Sequence, residues 1–240
     1  MDNTNYIALS RELSLARKQE TIANNIANSN TLGYRGEKML FDTYLIKQSK
    51  GEKIAFSHDV ATVIDPSIGS FKTTDRDLDV AINGPGYFKV STPQGVRYTR
   101  VGSFQIDQTG ALVTGQGYRV LDPNNQPITF QDEDSQFKIC EDGLIKVGEE
   151  ERGQIGIVHF NDEHLMEKAG HTLYRTAQPE LPQDENVRLT QGVLEESNVI
   201  PVKEMTNMLE TTRSVTTLSN LIRSADEMER GAVQKLSQSQ

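Results

Sequence analysis

Glycine and proline are distributed unevenly along this 240-residue chain, and their distribution constrains the fold more than any other feature. Residues 1–32 contain neither residue type, nor do residues 202–230, whereas nearly all of the 18 glycines and 8 prolines lie between these segments. Because glycine and proline mark turns and interrupt helices, two helical ends should flank a turn-rich centre. We therefore predict an α+β chain, with N- and C-terminal helices that pair like a coiled coil and flank an all-β central domain with extended linking segments.

The same distribution sets the expected boundaries. These are an N-terminal helix over 1–34, an extended linker over 35–75, a β-rich central domain over 76–185, a return strand and linker over 186–200, and a C-terminal helix over 201–236. In the centre, short apolar runs alternate with turn signals about every 8–12 residues, which is typical of a sandwich or barrel. We expect hairpins around residues 93–95 and 142–143, a buried strand in 153–160 and a late strand in 187–197.

The first helical segment carries two neighbouring apolar stripes at a spacing of three to four residues. Such spacing places side chains on one side of a helix. One stripe consists of Leu9, Leu13, Ala16, Ala23 and Ala27. The neighbouring stripe consists of Leu15, Ile22 and Ile26.

The last helical segment has a more regular pattern. Nine positions from 208 to 236 alternate spacings of three and four residues, and seven of them are apolar, including Met208, Val215, Leu218, Ile222 and Leu236. This is the heptad pattern of a coiled coil. A helix over 201–236 would be roughly 54 Å long, so its stripe needs a partner along much of its length.

Four asparagines fall within seven residues near the end of the first helical segment, at positions 24, 25, 28 and 30. Asparagine is a mediocre helix former because its amide competes for backbone hydrogen bonds. At a helix interface it is costly unless it is paired, and it then specifies register and partner. We therefore expect Asn24 and Asn28, four residues apart, to help set the pairing, and Asn30 and Gly33 to end the helix.

Composition and motifs argue against several classes of function. The formal net charge of −9 argues against nucleic acid, and a single cysteine, Cys140, excludes an intramolecular disulfide and a cysteine zinc cluster. Asp75, Asp77 and Asp79 alternate as in a calcium loop, but the glycine and glutamate that an EF-hand requires are missing. The histidines between 159 and 171 lack partners at a metal-binding spacing. We expect no enzyme, cofactor, metal or small-molecule substrate.

The apolar stripes could be covered in three ways: within one chain, between chains, or on a membrane surface. A membrane-surface helix would carry Lys and Arg on one face and Trp or Phe on the other, whereas these ends mix acidic and basic residues and contain no Trp. A bundle within a monomer stays open as the simplest alternative. We favour pairing that includes neighbouring chains. The expected interface residues are Leu9, Leu13, Leu15, Ile22, Asn24, Asn25, Ile26, Asn28, Met205, Met208, Val215, Leu218, Ile222 and Leu236.

Three motifs, in order along the chain, resemble those of the bacterial flagellar axial proteins, the subunits of rod and hook. Residues 24–35, NNIANSNTLGYR, resemble the motif NNxANxxTxGF[KR], with Tyr34 in place of Phe and Arg35 at the basic position. LDVAINGPGYFKV, followed by RYTRVGSFQIDQTGALVTGQGYRVL, resembles the central rod-protein signature, and LEESNVIPVKEMTNML resembles the C-terminal one. The short chain, its MDNTNY start and the SNVIPV and EDGLIKVGEEERGQIGIVHFND segments are more similar to proximal-rod than to distal-rod members.

This resemblance implies a structural subunit of the flagellar basal-body rod that assembles with its own copies and with other rod subunits. Such subunits are exported unfolded through the flagellar type III apparatus, and the first residues here also lack the pattern of a cleavable signal peptide. They polymerise in the periplasm, with paired terminal helices inside and the β domain outside. The alternatives are a distal-rod or hook-type subunit, a soluble coiled-coil binding module, and an enzyme with an unrecognised β-barrel site.

Overall fold

The computed structural model describes residues 2–47, 53–130, 137–148, 150–170, 172–184 and 187–238, without the side chains of 2–7, 41–60, 225–226, 229, 232–233 and 235–238. A long helix lies near each end of the chain and the centre is mainly β, which confirms the predicted α+β class. The chain divides into two compact units. The helical unit comprises Met1–Ala27, Glu37–Val63 and Ile200–Gln240, and the body comprises Asn28–Gly36 and Ile64–Val199.

The two helices of the helical unit are α1 (Asp2–Ala27) and α2 (Pro201–Gln238). α2 begins at a proline, whose fixed φ and missing N–H suit the first helical position. The two helices contact each other, and Gln19 Nε2 donates a hydrogen bond of 3.1 Å to Thr212 Oγ1. The helical ends that the sequence predicts are therefore present, whereas their supercoiling as a coiled coil stays a prediction.

A pair of long strands completes the helical unit. β1 (Glu37–Lys47) pairs with β2 (Lys53–Ile64), whose last residue belongs to the body. Both lie in the segment 35–75, for which the sequence analysis expected an extended linker. The two strands are rich in β-branched and aromatic residues, which favour a sheet, and each supplies the hydrogen-bonding partners that the other needs.

The body consists of short strands joined by turns. In chain order they are β3 (Phe71–Thr73), β4 (Val80–Asn83), β5 (Tyr87–Thr92), β6 (Gly95–Thr99), β7 (Phe104–Ile106), β8 (Leu112–Thr114), β9 (Arg119–Val120), β10 (Phe137–Ile139), β11 (Leu144–Val147), β12 (Glu150–Gln154), β13 (Ile157–His159), β14 (Glu167–Lys168), β15 (Leu173–Arg175), β16 (Leu181–Pro182), β17 (Arg188–Gln191) and β18 (Val193–Glu195), with a 3-10 turn over Glu163–Leu165.

The largest sheet has the strand order β14-β15-β6-β5-β9-β8-β7, and β13 pairs with both β5 and β16. A second sheet has the order β10-β11-β12, and two smaller ones pair β17 with β4 and β18 with β3. The expected hairpins around 93–95 and 142–143 are β5-β6 and β10-β11. The expected late strand is divided into β17 and β18 at Gly192, whose φ of +75° suits a residue without Cβ.

The core of the body is built from the inward-facing residues of these short strands. Val80, Phe88, Phe104, Leu112 and Val120 are each 0% exposed, and the rings of Phe88 and Phe104 meet edge to face at 5.1 Å. Apolar burial of this kind contributes about 25 cal/mol per Å² of area removed from water. The body therefore covers its own core with residues from many separate strands.

A second, more aromatic cluster lies beside this core. Tyr87, Tyr98, Phe160 and Tyr174 form it together with Ile64 and other apolar residues. The ring of Tyr87 contacts that of Tyr174 at 5.6 Å, and the ring of Tyr98 contacts that of Phe160 at 4.8 Å, both edge to face. Such ring contacts stabilise the cluster beyond the burial of apolar area, because the positive edge of one ring meets the negative face of the other.

Candidate assembly faces and a buried charged junction

The two apolar stripes of α1 differ in exposure. Leu15 and Ile22 are 6% and 4% exposed, whereas Leu9 and Leu13 are 51% and 57% exposed. Like Leu9 and Leu13, the alanines of their stripe are exposed: Ala16, Ala23 and Ala27. Ile26, in the stripe of Leu15 and Ile22, is half-buried. Because successive residues turn by about 100° around a helix, the stripes lie on different sides. We call the side of Leu15 and Ile22 the inner face of α1, and the side of Leu9 and Leu13 its outer face.

α2 also has two apolar faces. Thr211 is buried, and the residues at heptad spacing around it, Met208, Val215, Leu218 and Ile222, are half-buried. These residues form its inner face. Three further apolar residues at a spacing of three and four are exposed: Val202 (74%), Met205 (52%) and Leu209 (61%). They lie on the other side of the helix and form its outer face.

The predicted interface residues are thus distributed over both faces. Leu9, Leu13 and Met205 are on outer faces, whereas the other apolar members whose side chains are described are on inner faces. The side chain of Leu236 lies outside the described residues. The assembly role of these residues stays a prediction. Sequence reasoning missed Val202 and Leu209, although their spacing from Met205 is a signal that could have revealed them.

The asparagines at the end of α1 have different positions and partners. Asn25 is 4% exposed, and its side-chain amide forms two hydrogen bonds of 2.9 Å with the backbone N–H and C=O of Glu37 at the start of β1. Asn24 is exposed. Asn28 is half-buried and accepts hydrogen bonds from the backbone N–H and hydroxyl of Thr31 in the turn after the helix. In this chain, Asn25 joins the helix to β1, while Asn28 shapes the turn.

Three charged side chains, buried together within the body, form what we call the charged junction: Arg35, Arg100 and Glu195. Each is at most 3% exposed. Arg100 donates to Glu195 Oε2 from both Nε (2.8 Å) and Nη2 (2.7 Å), and Arg35 Nη2 lies 3.2 Å from Glu195 Oε1. A buried carboxylate therefore holds two guanidinium groups from distant parts of the chain.

Backbone carbonyl groups satisfy most of the remaining donors of the charged junction. Arg100 donates to the carbonyl oxygens of Ile82, Gly84 and Gly86, and Arg35 donates to those of Pro66 and Ser67. Charged groups that are buried without such partners cost several kcal/mol each. The junction therefore links the segment after α1 with the loop before β3, the turn between β4 and β5, and the end of β18.

Two further residues hold backbone segments together beside the charged junction. The side chain of Asn198 accepts a hydrogen bond from the N–H of Gly36 (2.7 Å) and donates to the carbonyls of Asp65 and Ser67. Gly33 has a φ of +62°, and a Cβ there would lie 2.7 Å from the backbone of Arg100. The glycine of the N-terminal motif is therefore required both by its backbone conformation and by close packing.

The pKa values near the charged junction follow from burial. Burial lowers the pKa of Arg100, and the carboxylate of Glu195 opposes that change. The pKa of Tyr87 is raised, first by burial and then by the carboxylate of Glu163, to which its hydroxyl donates a hydrogen bond of 2.8 Å. The guanidinium of Arg100 lies 5.9 Å from the ring centroid of Tyr87, close enough for a cation–π interaction.

The residues considered for metal or catalytic chemistry occupy structural positions. Asp79 is 1% exposed and accepts a hydrogen bond of 2.6 Å from the hydroxyl of Thr74, and both His159 and Cys140 are half-buried. His171 lies outside the described residues. Within the described ranges, no group of three or more His, Cys, Asp or Glu side chains could hold a metal ion. In the same part of the chain, no helix is long and apolar enough to cross a membrane.

Three family models match the chain in the order of its three motifs. The model described as Flagella basal body rod protein matches residues 6–35. The model for the Flagellar hook protein FlgE/F/G D1 domain matches residues 81–147, and that for the Flagellar basal body rod FlgEFG protein C-terminal matches residues 190–235. The matches therefore fall on α1 and the turn after it, on the body, and on α2 with the strands before it.

Individual relatives are similar over nearly the whole chain. Flagellar basal-body rod protein FlgF of Caulobacter vibrioides is 36% identical over 241 residues, which cover 98% of both chains. FlgF of Rhizobium meliloti is 32% identical over 92% of both chains, and flagellar basal-body rod protein FlgG of Bacillus subtilis is 33% identical over 93% of this chain and 95% of its own. The similarity includes the two helices as well as the body.

Proposed function

Because this chain belongs to the flagellar basal-body rod protein family and is a structural subunit of that rod, we propose that the outer faces of α1 and α2 join it to adjacent rod subunits. The members of this family are structural proteins, so the prediction that the chain is not an enzyme is confirmed. Among rod proteins the chain is most like those named FlgF. This likeness supports a place in the proximal rod rather than in the distal rod or hook.

The observation that carries the proposal is the presence of a second apolar face on each helix. Leu9 and Leu13 on α1, and Val202, Met205 and Leu209 on α2, are all more than half exposed. Burying these residues against a neighbouring subunit would contribute about 25 cal/mol per Å² of apolar area, offset in part by the ordering of the chain ends. The inner faces would hold α1 and α2 together while the outer faces recruit neighbours.

The partners in this proposal are further copies of the chain and the other subunits of the rod. The chain acts at the flagellar basal body, the structure for which its relatives are named. We infer that it is exported unfolded by the flagellar type III apparatus and assembles in the periplasm, with the helices toward the rod axis and the body outside. Contacts between different surfaces of successive copies support open-ended growth where the rotation between copies does not close a ring.

Deletion of the gene tests the proposed function directly. Basal bodies isolated from the deletion strain should lack the rod beyond its base when they are examined by electron microscopy, and the complete chain should restore the rod. Rods of normal length in the deletion strain would contradict the proposal. The same strain provides the background for variant chains.

A substitution on the outer face of α1 tests how assembly occurs. Leu13→Asp places a charge on the exposed stripe, so it should leave the isolated chain folded but prevent rod assembly in the deletion strain. Arg17→Asp is the control, since Arg17 is exposed on α1 but belongs to neither apolar stripe. The control changes the net charge by more than Leu13→Asp does, so an effect of charge alone would be larger in it. Equal assembly of the two variants would contradict an apolar contact at Leu13.

The alternative of a separate coiled-coil binding module predicts a different assembly. Such a module forms a discrete dimer, whereas a rod subunit is monomeric or forms open-ended polymers as its concentration rises. Light scattering of the purified chain over a range of concentrations distinguishes the two. A dimer of constant mass over the whole range would favour the module.

A further inference from the structure

A positively charged cleft in the body is not used by the charged junction or by the helices. Its volume is about 480 Å³, and Arg97, Lys168 and Arg175 line it together with Tyr118 and Gln94. Arg97 lies on β6, Lys168 on β14 and Arg175 on β15, which are adjacent strands of the largest sheet. We call this site the cationic cleft. These three cations make the cleft positively charged, although the chain as a whole has a net charge of −9.

Two of these cations lie on strands that pair directly. Antiparallel pairing of β15 with β6 places Leu173 opposite Thr99 and Tyr174 opposite Tyr98. Arg175 and Arg97 are the next residues of these two strands, and both line the cleft. Like charges that lie close together repel each other, so a bound anion would stabilise this part of the body.

Two neighbouring groups help to shape the cationic cleft. Glu167 accepts hydrogen bonds from Arg175 (2.6 and 2.8 Å), but both side chains are well exposed, so this pair offsets the positive charge only in part. Lys168 Nζ donates a hydrogen bond of 2.8 Å to the hydroxyl of Tyr34 and lies 4.1 Å from its ring centroid. Tyr34 is 2% exposed, so it holds the ammonium group of Lys168 in a fixed position.

Opposite charge lies on another sheet of the same body. Glu150 and Glu151 begin β12, and both are exposed, the side chain of Glu150 to 73%. Arg152 Nη1 lies 3.3 Å from Glu150 Oε2, and Lys146 on β11 is opposite Glu151 in the strand register. Ion pairs so exposed bind weakly and can exchange for better partners. We call Glu150 and Glu151 the glutamate tip.

We propose that the glutamate tip of one copy binds in the cationic cleft of the next copy, a contact that rests on the proposed role as a rod subunit. Guanidinium groups bind carboxylates through paired, charge-assisted hydrogen bonds, so Arg97 and Arg175 suit the two glutamates. The tip lies on the sheet β10-β11-β12 and the cleft on the largest sheet, so the two surfaces differ. A contact between different surfaces is head-to-tail and leaves one cleft and one tip free for further growth.

Charge reversal in the complete chain tests this contact by sedimentation. Arg97→Glu with Arg175→Glu, and separately Glu150→Lys with Glu151→Lys, should each weaken self-association about tenfold, because two ion pairs become repulsive. The chain that carries all four changes should recover the affinity of the original, since each pair is restored with reversed signs. Lys72→Glu with Arg17→Glu is the control for the cleft variant, because these exposed residues lie outside both the cleft and the tip and change the net charge as much as reversal of the cleft does.

The outcomes separate the proposed contact from other occupants of the cleft. If reversal of the cleft weakens association but reversal of the tip does not, another group binds in the cleft and the proposal is wrong. It is also wrong if the four changes together fail to restore association. Circular dichroism shows whether the cleft variant is folded, and reversal of the exposed tip tests the same contact without altering the cleft.

The deletion strain distinguishes failure of this contact from failure of the proposed function. Rods that form without the gene would contradict the role as a rod subunit. Rods that require the gene but form normally with either charge-reversed chain would contradict the contact between tip and cleft alone. We expect both charge-reversed chains to give fewer or shorter rods, and the chain with all four changes to restore them.

Discussion

The body and the helical unit differ in how far one chain can cover its own apolar surface. In the body, Val80, Phe88, Phe104 and Leu112 are fully buried. In the described part of the chain, the large apolar side chains that are more than half exposed lie in the helical unit, with the exception of Leu165. The body can therefore be stable by itself, whereas the helical unit retains apolar surface that a neighbouring subunit would cover.

The two units also use polar residues differently. The body buries an ion-paired group, the charged junction, in which one carboxylate serves two guanidinium groups. The helical unit joins its parts with neutral amides, as in the hydrogen bonds of Asn25 with Glu37 and of Gln19 with Thr212. Breaking a buried ion pair costs more than breaking a neutral hydrogen bond, so the largest losses of stability are expected in the body.

The largest expected effect is in the charged junction. Glu195→Gln should lower the free energy of unfolding of the body by about 3–5 kcal/mol, because it leaves two guanidinium groups buried without a carboxylate. Glu167→Gln is the control, since Glu167 pairs with Arg175 at the surface and its removal should cost at most about 1 kcal/mol. Urea denaturation, followed by near-ultraviolet circular dichroism of the tyrosines, measures the free energy of unfolding of both variants. Similar losses in the two variants would mean that burial does not strengthen the junction.

The next largest effect is the difference in stability between substitutions of two leucines on α1. Leu15→Ala should lower the stability of the helical unit by about 2–3 kcal/mol because Leu15 is 6% exposed and its removal leaves a cavity. Leu13→Ala should change it by less than about 0.5 kcal/mol, since Leu13 is 57% exposed. Thermal unfolding followed by far-ultraviolet circular dichroism measures the difference. A larger loss of stability in Leu13→Ala than in Leu15→Ala would mean that Leu13, and not Leu15, lies on the buried face of α1.

A smaller difference in stability is expected between substitutions of two asparagines on α1. Asn25→Ala should cost about 1–2 kcal/mol, because the N–H and C=O of Glu37 lose their partner. Asn24→Ala, at an exposed position of the same helix, should cost less than about 0.5 kcal/mol. Amide hydrogen exchange at Glu37 adds a local measurement, since only the first substitution should speed it. Unchanged exchange in that variant would show that the amide of Asn25 does not protect β1.

A fourth effect is a pH dependence of the body at alkaline pH. Burial raises the pKa of Tyr87 and of Tyr98, and the carboxylates of Glu163 and Glu180 raise them further. Both tyrosines therefore stabilise the fold fully below the unfolded pKa of about 10, and this contribution is lost as the pH rises toward the folded pKa. In an alkaline titration followed by tyrosinate absorbance, Tyr87 and Tyr98 should ionise only as the body unfolds.

The substitution Glu163→Gln tests the contribution of this carboxylate to the pKa of Tyr87. Burial raises the pKa of Tyr87 most and the carboxylate of Glu163 raises it further, so loss of this carboxylate should let Tyr87 ionise at a lower pH than in the original chain. Tyr98 should be unaffected, because its hydrogen-bond partner is Glu180. Ionisation of all seven tyrosines in the folded chain would contradict the burial of both residues.

Local patterns in the sequence were sufficient for much of the fold. The absence of glycine and proline predicted both helices, and turn signals predicted the hairpins β5-β6 and β10-β11 because such turns depend on adjacent residues. The pairing of β1 with β2 was not predicted, although its strands have β-forming composition. A strand signal is weak without its partner, since sheet stability comes from contacts across strands.

The candidate site was less predictable, because it depends on which surfaces meet. Heptad spacing shows which residues share a side of a helix, but not which side is covered, so Leu9 and Leu15 were equivalent in the sequence. The motif places a basic residue at Arg35 without indicating that Glu195 is its partner. These residues are far apart in the chain and become neighbours only in the folded body.

The sequence by itself therefore determined the two helices, the turn-rich centre and the family, because periodicity, turn residues and motifs are encoded locally. Only the tertiary structure decided which helix faces are inner and outer, which asparagine binds β1, and which charges form the charged junction and the cationic cleft. Those features depend on contacts between distant segments, and burial gives them their energies. The same residue type, leucine or glutamate, therefore has different effects at positions that look alike in the sequence.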